Sequence, residues 1–144
     1  MYKLNLPKFE YKVKKENNQY YIFDILRKKY VCLTPEEWVR QHLIHYLINN
    51  NYPTSMIAVE RELDVNGCKR RFDLVVYKQS KPWLLVECKA PTISITQEVF
   101  EQALCYNTQL CAPFLAVTNG IVHYCVYLNK EINKFEYIET FPLW

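Results

Sequence analysis

Two charged residues, Glu87 and Lys89, stand inside the apolar run WLLVECKAP at residues 83–91. The run is typical of a buried β-strand, and residues two apart on a strand point to the same face of a sheet. A buried charge costs several kcal/mol unless it is paired or bound to a metal. Any fold built on this strand must therefore supply partners for both side chains, and the shared face is where we expect a functional site.

The composition indicates one globular domain over residues 1–144. Half of the residues are hydrophobic and 15% are aromatic, which suits a packed core and argues against a disordered chain. No apolar run approaches the roughly 18 residues of a membrane span, and the start MYKLNLPKFEYK lacks the apolar core of an export signal. The six cysteines form no C-x-x-C pair, and most of them lie in apolar strand or helix patterns, which is typical of reduced thiols in a cytosolic protein. We expect a cytoplasmic protein with no membrane partner.

The order of predicted elements indicates an α/β or α+β fold with a mixed central β-sheet flanked by helices. Residues 1–32 form an N-terminal β-hairpin extension, with turn signals at 16–18 and 27–29. The core over residues 33–129 begins with a helix that has Thr34 as N-cap, Pro35 at its first position and Glu37 completing a capping box. The elements that follow are strands at 56–65, 70–78 and 82–90, a helix at 96–111, and strands at 113–120, 121–129 and 135–141.

The hairpin at 70–90 places two carboxylates opposite each other. Antiparallel pairing about its turn, residues 78–82, pairs Tyr77 with Trp83, Val75 with Leu85 and Asp73 with Glu87. Lys89 lies one rung further on the same face. Because like charges on facing strands are destabilising, either something positive lies between the two carboxylates or one of them holds a proton.

Two carboxylates and a lysine on one face suit metal-dependent hydrolysis of a phosphodiester bond. Mg²⁺ prefers oxygen ligands and takes one or two protein carboxylates together with water and phosphate. Asp73 and Glu87 are the candidate ligands, with the backbone carbonyl of Cys88 as a further one. Lys89 would steady the attacking water or the phosphate. The alternative is a structural ion pair of Glu87 with Lys89 or Arg71 at the end of a strand.

Basic clusters point to a polyanionic partner. They are Lys12, Lys14 and Lys15; Arg27, Lys28 and Lys29; and Lys69, Arg70 and Arg71. The last cluster lies beside the candidate site, so Arg70 and Arg71 are expected to bind the substrate. Solvated turns and strand ends are the alternative for the first two. With only two glycines, the chain has no Gly-rich phosphate loop.

Five segments carry a resemblance to a known family: TPEEWVRQHL (34–43), RRFDLVVY (70–77), LLVECKAP (84–91), EQALCYN (101–107) and VTNG (117–120). Together they resemble the PD-(D/E)xK nuclease superfamily, and more closely the N-terminal nuclease domain of type I restriction enzyme R subunits. The resemblance covers roughly residues 30–128. Phe72 stands where that family has a proline before the aspartate, and proline is not a ligand.

The resemblance implies a restriction-endonuclease-like fold and a Mg²⁺-dependent deoxyribonuclease in which Mn²⁺ can replace Mg²⁺. It makes Asp73 and Glu87 metal ligands and Lys89 the catalytic lysine. The implied partners are DNA and other subunits of a restriction system, and a homodimer through an edge strand of the extension is a further expectation.

Three further residues match elements of related nucleases. Gln102 and Tyr106, four apart on the second helix, match a Q-x-x-x-Y element that touches substrate, although an exposed glutamine and a packed tyrosine are equally consistent with the sequence. Glu37 matches a first-helix glutamate that joins the metal site, and the capping box explains it equally well. Arg40 and Gln41 face either the site or the solvent.

The alternative function is a catalytically inactive module that binds DNA or a partner protein within a restriction or defence system. Retention of Asp73, Glu87 and Lys89 favours the active enzyme. RNA stays open as a substrate, because nothing in the sequence separates it from DNA.

Overall fold

The N-terminal extension folds as a small antiparallel sheet. The computed structural model describes residues 2–65, 67–110, 112–132 and 134–144, with side chains throughout except at 65, 105, 106 and 108–110. Within these residues the extension contains three strands in the order β1 (Val13–Glu16), β2 (Gln19–Asp24) and β3 (Lys29–Cys32). Asn17 and Asn18 have φ values of 45° and 63°, as a tight two-residue hairpin turn requires.

Helix α1 runs from Pro35 to Asn49. Thr34 caps it as predicted, because the Thr34 side chain accepts a hydrogen bond from the backbone N of Glu37 at 3.0 Å. The predicted capping box is only half formed. The Glu37 carboxylate binds two arginines in the interior, while the backbone N of Thr34 donates to a backbone carbonyl.

A larger mixed sheet forms the body of the core. A short 3₁₀ turn, Thr54–Met56, leads into it. Its strands in the described residues are β4 (Ile57–Val65), β5 (Cys68–Lys78), β6 (Lys81–Cys88), β7 (Phe114–Thr118), β8 (His123–Asn129) and β9 (Lys134–Ile138). Neighbours follow chain order and are antiparallel, except for the parallel pair β6–β7. Helix α2 (Gln97–Leu110) lies in the connection between these two strands, as a parallel pair requires.

The sheet buries apolar side chains on both faces. The first core joins it to α1 and to the N-terminal sheet, and includes Ile22, Leu43, Leu47, Leu74 and Val86. The second core joins it to α2, and includes Val75, Leu85, Phe100 and Leu115. The ends of β5 and β6 therefore lie between two helix-covered faces, and side chains there can meet residues of either helix.

The predicted fold class is confirmed, with a mixed sheet, flanking helices and a β extension at the N-terminus. The last strand ends at Ile138 rather than at 141, because Phe141 leaves the sheet to pack on Tyr46 and the α1 core. No helix in the described residues is both long and apolar enough to span a membrane.

Candidate active site

The register of the β5–β6 hairpin is confirmed next to the candidate site and differs near the turn. Val75 pairs with Leu85, as predicted. Tyr77 pairs with Pro82, so the predicted pair of Tyr77 with Trp83 is wrong.

The difference arises from a tighter turn than expected. Gln79 and Ser80 have φ values of 51° and 60°, and they form a two-residue turn between the paired residues Lys78 and Lys81. An irregularity just before Tyr77 then shifts the register by one residue. Neither turn residue is glycine or asparagine, so the sequence carried no strong signal for this turn.

Asp73 lies at a break in the alternation of β5. Leu74 belongs to the core under α1, whereas Phe72, two residues away, belongs to the core under α2. Residues two apart on a regular strand share a face, so the strand is locally irregular here. On the neighbouring strand, Glu60 has a φ of 50° between two regularly paired positions. The pairing keeps the same register on both sides of this point, so neither strand gains a residue, and Asp73 contacts Arg40 of α1 here.

Both carboxylate oxygens of Asp73 accept hydrogen bonds. Oδ2 accepts from the backbone N of Cys88 at 2.7 Å, which ties β5 to the end of β6. Oδ1 accepts from Nη2 of Arg40 on α1. The Arg40 side chain is 6% exposed and binds Asp73, so it faces the site rather than the solvent. Burial opposes the charged form of Arg40, but the carboxylates of Asp73 and Glu37 raise its pKa and keep it cationic.

Glu87 lies against Asp73 and shares its charge environment. Burial, the charge of Asp73 and a hydrogen bond to Asp73 raise the pKa of Glu87 to about 8, while Lys89 acts in the opposite direction. The sequence required a positive group or a proton at this place. The structure provides the positive group, because Arg40 binds Asp73, and the raised pKa of Glu87 favours its protonated form near neutral pH.

Replacing Glu87 by glutamine is expected to stabilise the protein at neutral and alkaline pH. Below the ordinary pKa of 4.5, Glu87 is protonated in both the folded and the unfolded chain. Between pH 4.5 and about 8 the unfolded chain loses this proton and the folded chain keeps it, so the stability of the wild type falls as the pH rises. We expect the substitution to raise the free energy of unfolding by about 2 kcal/mol at pH 8. This value is smaller than the full pKa shift would give, because solvent in the site screens part of the charge.

Urea denaturation at pH 5 and pH 8 measures this effect. Glu131→Gln, in an exposed turn, is the matched control and should leave stability unchanged at both pH values. An equal effect of Glu87→Gln at both pH values, or no effect at pH 8, would contradict the raised pKa.

Glu87 and Lys89 open into a cleft of about 310 Å³ between the sheet and α2. Its polar and charged lining includes Lys69, Arg70, Arg71, Glu87, Lys89 and Gln102. Asp73 approaches the same place from the side of α1. Tyr106 lies on α2, but its side chain is outside the described residues. The structure thus gathers the candidate substrate-binding residues that it describes around Glu87 and Lys89, and their roles stay predictions.

Glu37 points into the interior rather than toward the cleft. Its Oε1 accepts hydrogen bonds from Nη2 of Arg27 at 2.6 Å and Nε2 of Gln41 at 2.8 Å, and its Oε2 accepts from Arg40. Because both oxygens are engaged, this arrangement gives no support to the predicted role of Glu37 as a metal ligand. The capping box did not explain the residue either, since its carboxylate serves the buried arginines.

Glu36 is the acidic residue of α1 that lies near the site, and the sequence reasoning missed it. Burial and the charge of Asp73 raise the pKa of Glu36, while Arg40 and Lys89 act in the opposite direction. Its Oε1 lies 3.3 Å from Nη2 of Arg40. The spacing of four residues between Glu36 and Arg40 on one helix was the signal that could have identified it.

Arg27 links the N-terminal extension to this network. Its guanidinium binds Asp24 at 2.7 Å, Glu37 at 2.6 Å and Glu60 at 2.7 Å. Burial alone would raise the pKa of Asp24, but hydrogen bonds from Arg27 and Gln41 hold it below its usual value. Arg27 therefore belongs to the interior and not to a basic surface cluster.

The donor set at the end of β5 and β6 is small but suits Mg²⁺. Among the residues that the structure describes, no three His, Cys, Asp or Glu side chains are grouped to hold a metal ion. Mg²⁺ usually takes only one or two carboxylates and keeps several waters. Asp73 and Glu87 provide two hard oxygen donors, and burial together with the charge of Asp73 raises the pKa of Glu87, an effect that a bound cation would oppose. The Cys88 carbonyl as a third donor stays a prediction.

Comparison with known proteins gives one family and one solved structure. A family model described as type I restriction enzyme R protein N terminus matches residues 35–142. The fold is similar to a fragment of a protein assigned as the HsdR subunit of a type I restriction enzyme from Vibrio vulnificus YJ016, with a TM-score of 0.53 and 20% sequence identity. That alignment covers 76% of this chain and 24% of the other, so the chain spans about a quarter of that structure. A search of curated proteins gives no match.

Proposed function

Since the chain belongs to the family of type I restriction enzyme R protein N-terminal domains, we propose that it is a Mg²⁺-dependent deoxyribonuclease of a restriction or defence system. The N-terminal extension, residues 1–32, lies before the matched region, which begins at residue 35. DNA is the proposed substrate, and other restriction-system subunits or a second copy of the chain are the proposed partners.

One observation carries the proposal. Asp73 and Glu87 are pressed together in a partly buried site, and burial and mutual repulsion raise the pKa of Glu87 to about 8. A purely structural acidic residue would be expected to have a neutralising partner of its own, as Glu37 has. Strongly perturbed carboxylates in a cleft are typical of functional sites, and Glu87 lines a cleft together with Lys69, Arg71 and Lys89.

Each residue has a place in the proposed reaction. Asp73 and Glu87 would hold Mg²⁺, which when bound supplies an activated water and neutralises charge on the phosphate. Lys89 would donate a hydrogen bond to a phosphoryl oxygen, where negative charge builds up during hydrolysis. Arg71 and Gln102 would bind the sugar–phosphate backbone from the wall of the cleft.

The test is a cleavage assay with linear and supercoiled DNA, single-stranded DNA and RNA, each with Mg²⁺, Mn²⁺ or EDTA. We expect cleavage of DNA that requires the metal and is lost in Asp73→Ala and Glu87→Ala. Lys81→Ala, at the exposed far end of β6, is the control. Equal activity of the wild type and the site variants would sink the assignment.

One observation favours a binding module instead. Arg40 and the backbone N of Cys88 already occupy both oxygens of Asp73, as in a structural ion pair. The two functions separate cleanly by experiment. DNA binding that needs no metal and gives no cleavage would identify the chain as a non-catalytic module.

A further inference from the structure

Arg40 is a buried cation surrounded by four carboxylates. Nη1 binds Glu37 and lies 3.9 Å from Oε1 of Glu60, while Nη2 binds Asp73 and lies 3.3 Å from Oε1 of Glu36. Its Nε has no hydrogen-bond partner among the described residues. The guanidinium is therefore held only through its two terminal nitrogens.

A metal ion at Asp73 and Glu87 would meet this guanidinium at close range. Arg40 uses the Oδ1 atom of Asp73, which is one of the oxygens that the ion needs. Two positive groups beside one carboxylate repel each other, and a side chain that is 6% exposed is poorly screened by salt. The Glu37 carboxylate offsets part of this charge, because it pairs with Arg40 from the other side.

We propose that Arg40 competes with the metal ion for Asp73 and thereby sets the metal affinity of the site. The inference rests on the proposed metal site and adds a regulator to it. When the ion takes Asp73, Nη2 of Arg40 keeps a nearby acceptor in Glu36, and Nη1 keeps Glu37. Arg27 holds Glu37 in turn, so the N-terminal extension supports the position of Arg40. Arg40 is thus a positioning residue that acts through Asp73.

Mn²⁺ binding without DNA tests the proposal, measured from the paramagnetic resonance signal of the free ion. We expect Arg40→Gln to bind Mn²⁺ about tenfold more tightly than the wild type, since the competing charge is gone. Glu37→Gln should bind Mn²⁺ about tenfold more weakly, since Arg40 is then less well neutralised. Arg61→Gln, an exposed arginine on β4, controls for general charge removal and should change the affinity less than twofold.

Opposite shifts are the discriminating result, because a general loss of structure would weaken binding in both variants. Unchanged or weaker binding by Arg40→Gln overturns the proposal. If circular dichroism shows that Arg40→Gln does not fold, Glu37→Gln decides alone, and an unchanged affinity overturns the proposal. Mn²⁺ binding by Arg40→Gln but not by the wild type supports it.

The outcome is separable from that of the proposed function. Shifted affinities without any DNA cleavage leave Arg40 as a regulator of a non-catalytic metal site. Metal-dependent cleavage with unshifted affinities removes only the role of Arg40. An absence of Mn²⁺ binding by both the wild type and a folded Arg40→Gln overturns both.

Discussion

Replacing Lys89 by alanine is expected to lower the rate of DNA cleavage at saturating Mn²⁺ by about a hundred- to a thousandfold. Lys89 lines the cleft beside Glu87, and its backbone N donates to the carbonyl of Thr118 at 2.8 Å. The backbone bond fixes the end of β6 whatever the side chain is. The substitution therefore removes a cation from the place where negative charge develops and leaves the two carboxylates where they are.

The cleavage rate and the Mn²⁺ affinity must both be measured to separate two possible roles of Lys89. Because the charge of Lys89 lowers the pKa of Glu87, its removal will change Mn²⁺ affinity in either role. If Lys89 only neutralised Glu87, saturating Mn²⁺ would restore the cleavage rate of Lys89→Ala, whereas a lysine that stabilises the reacting phosphate leaves a rate defect that saturating Mn²⁺ does not restore. Single-turnover cleavage rates at saturating Mn²⁺ and direct Mn²⁺ binding separate the two roles. Lys81→Ala should match the wild type in both assays. Full cleavage by Lys89→Ala would show that another group stabilises the reacting phosphate.

The sequence was sufficient to place Asp73 beside Glu87 because the hairpin carries local information. Both faces of these strands are buried, so alternation of apolar and polar residues does not fix the register. The pairing of Val75 with Leu85 was predicted by counting from a turn at residues 78–82. It holds because the tighter two-residue turn and the irregularity before Tyr77 offset each other. The two-residue form of the turn was not predicted, since neither Gln79 nor Ser80 is a glycine.

The surroundings of Asp73 could not be predicted in the same way, because they depend on how α1 docks on the sheet. Arg40 and Asp73 are 33 residues apart in sequence, and no pattern within either segment specifies their contact. Glu37 is a second residue whose contacts depend on how distant segments pack together. The capping box predicted one partner for its carboxylate and the family resemblance predicted another, whereas the folded chain brings Arg27 from the N-terminal extension to meet it.

Replacing Arg27 by methionine is expected to lower the free energy of unfolding by about 3–5 kcal/mol at pH 7. The Arg27 side chain is 16% exposed and its guanidinium binds three carboxylates, those of Asp24, Glu37 and Glu60. Asp24 is fully buried. Methionine fills much of the same volume but leaves these acids short of a cation, and an uncompensated buried charge is among the largest single-residue destabilisations known.

The pH dependence identifies the cause of this loss. In the wild type the pKa of Asp24 is lowered, so its stabilising contribution is present above the ordinary value of 3.8 and is lost as the pH falls through its lower folded value. Without Arg27, burial should raise that pKa. Lower pH should then protonate the carboxylates that have lost their cation and so reduce the destabilisation of the variant. The difference in the free energy of unfolding between the wild type and Arg27→Met should therefore narrow between pH 7 and pH 4 in urea denaturation.

Lys28→Met, the exposed neighbour in the same turn, should stay within about 0.5 kcal/mol of the wild type. A difference that does not change with pH would mean that Arg27 contributes by packing and not by charge.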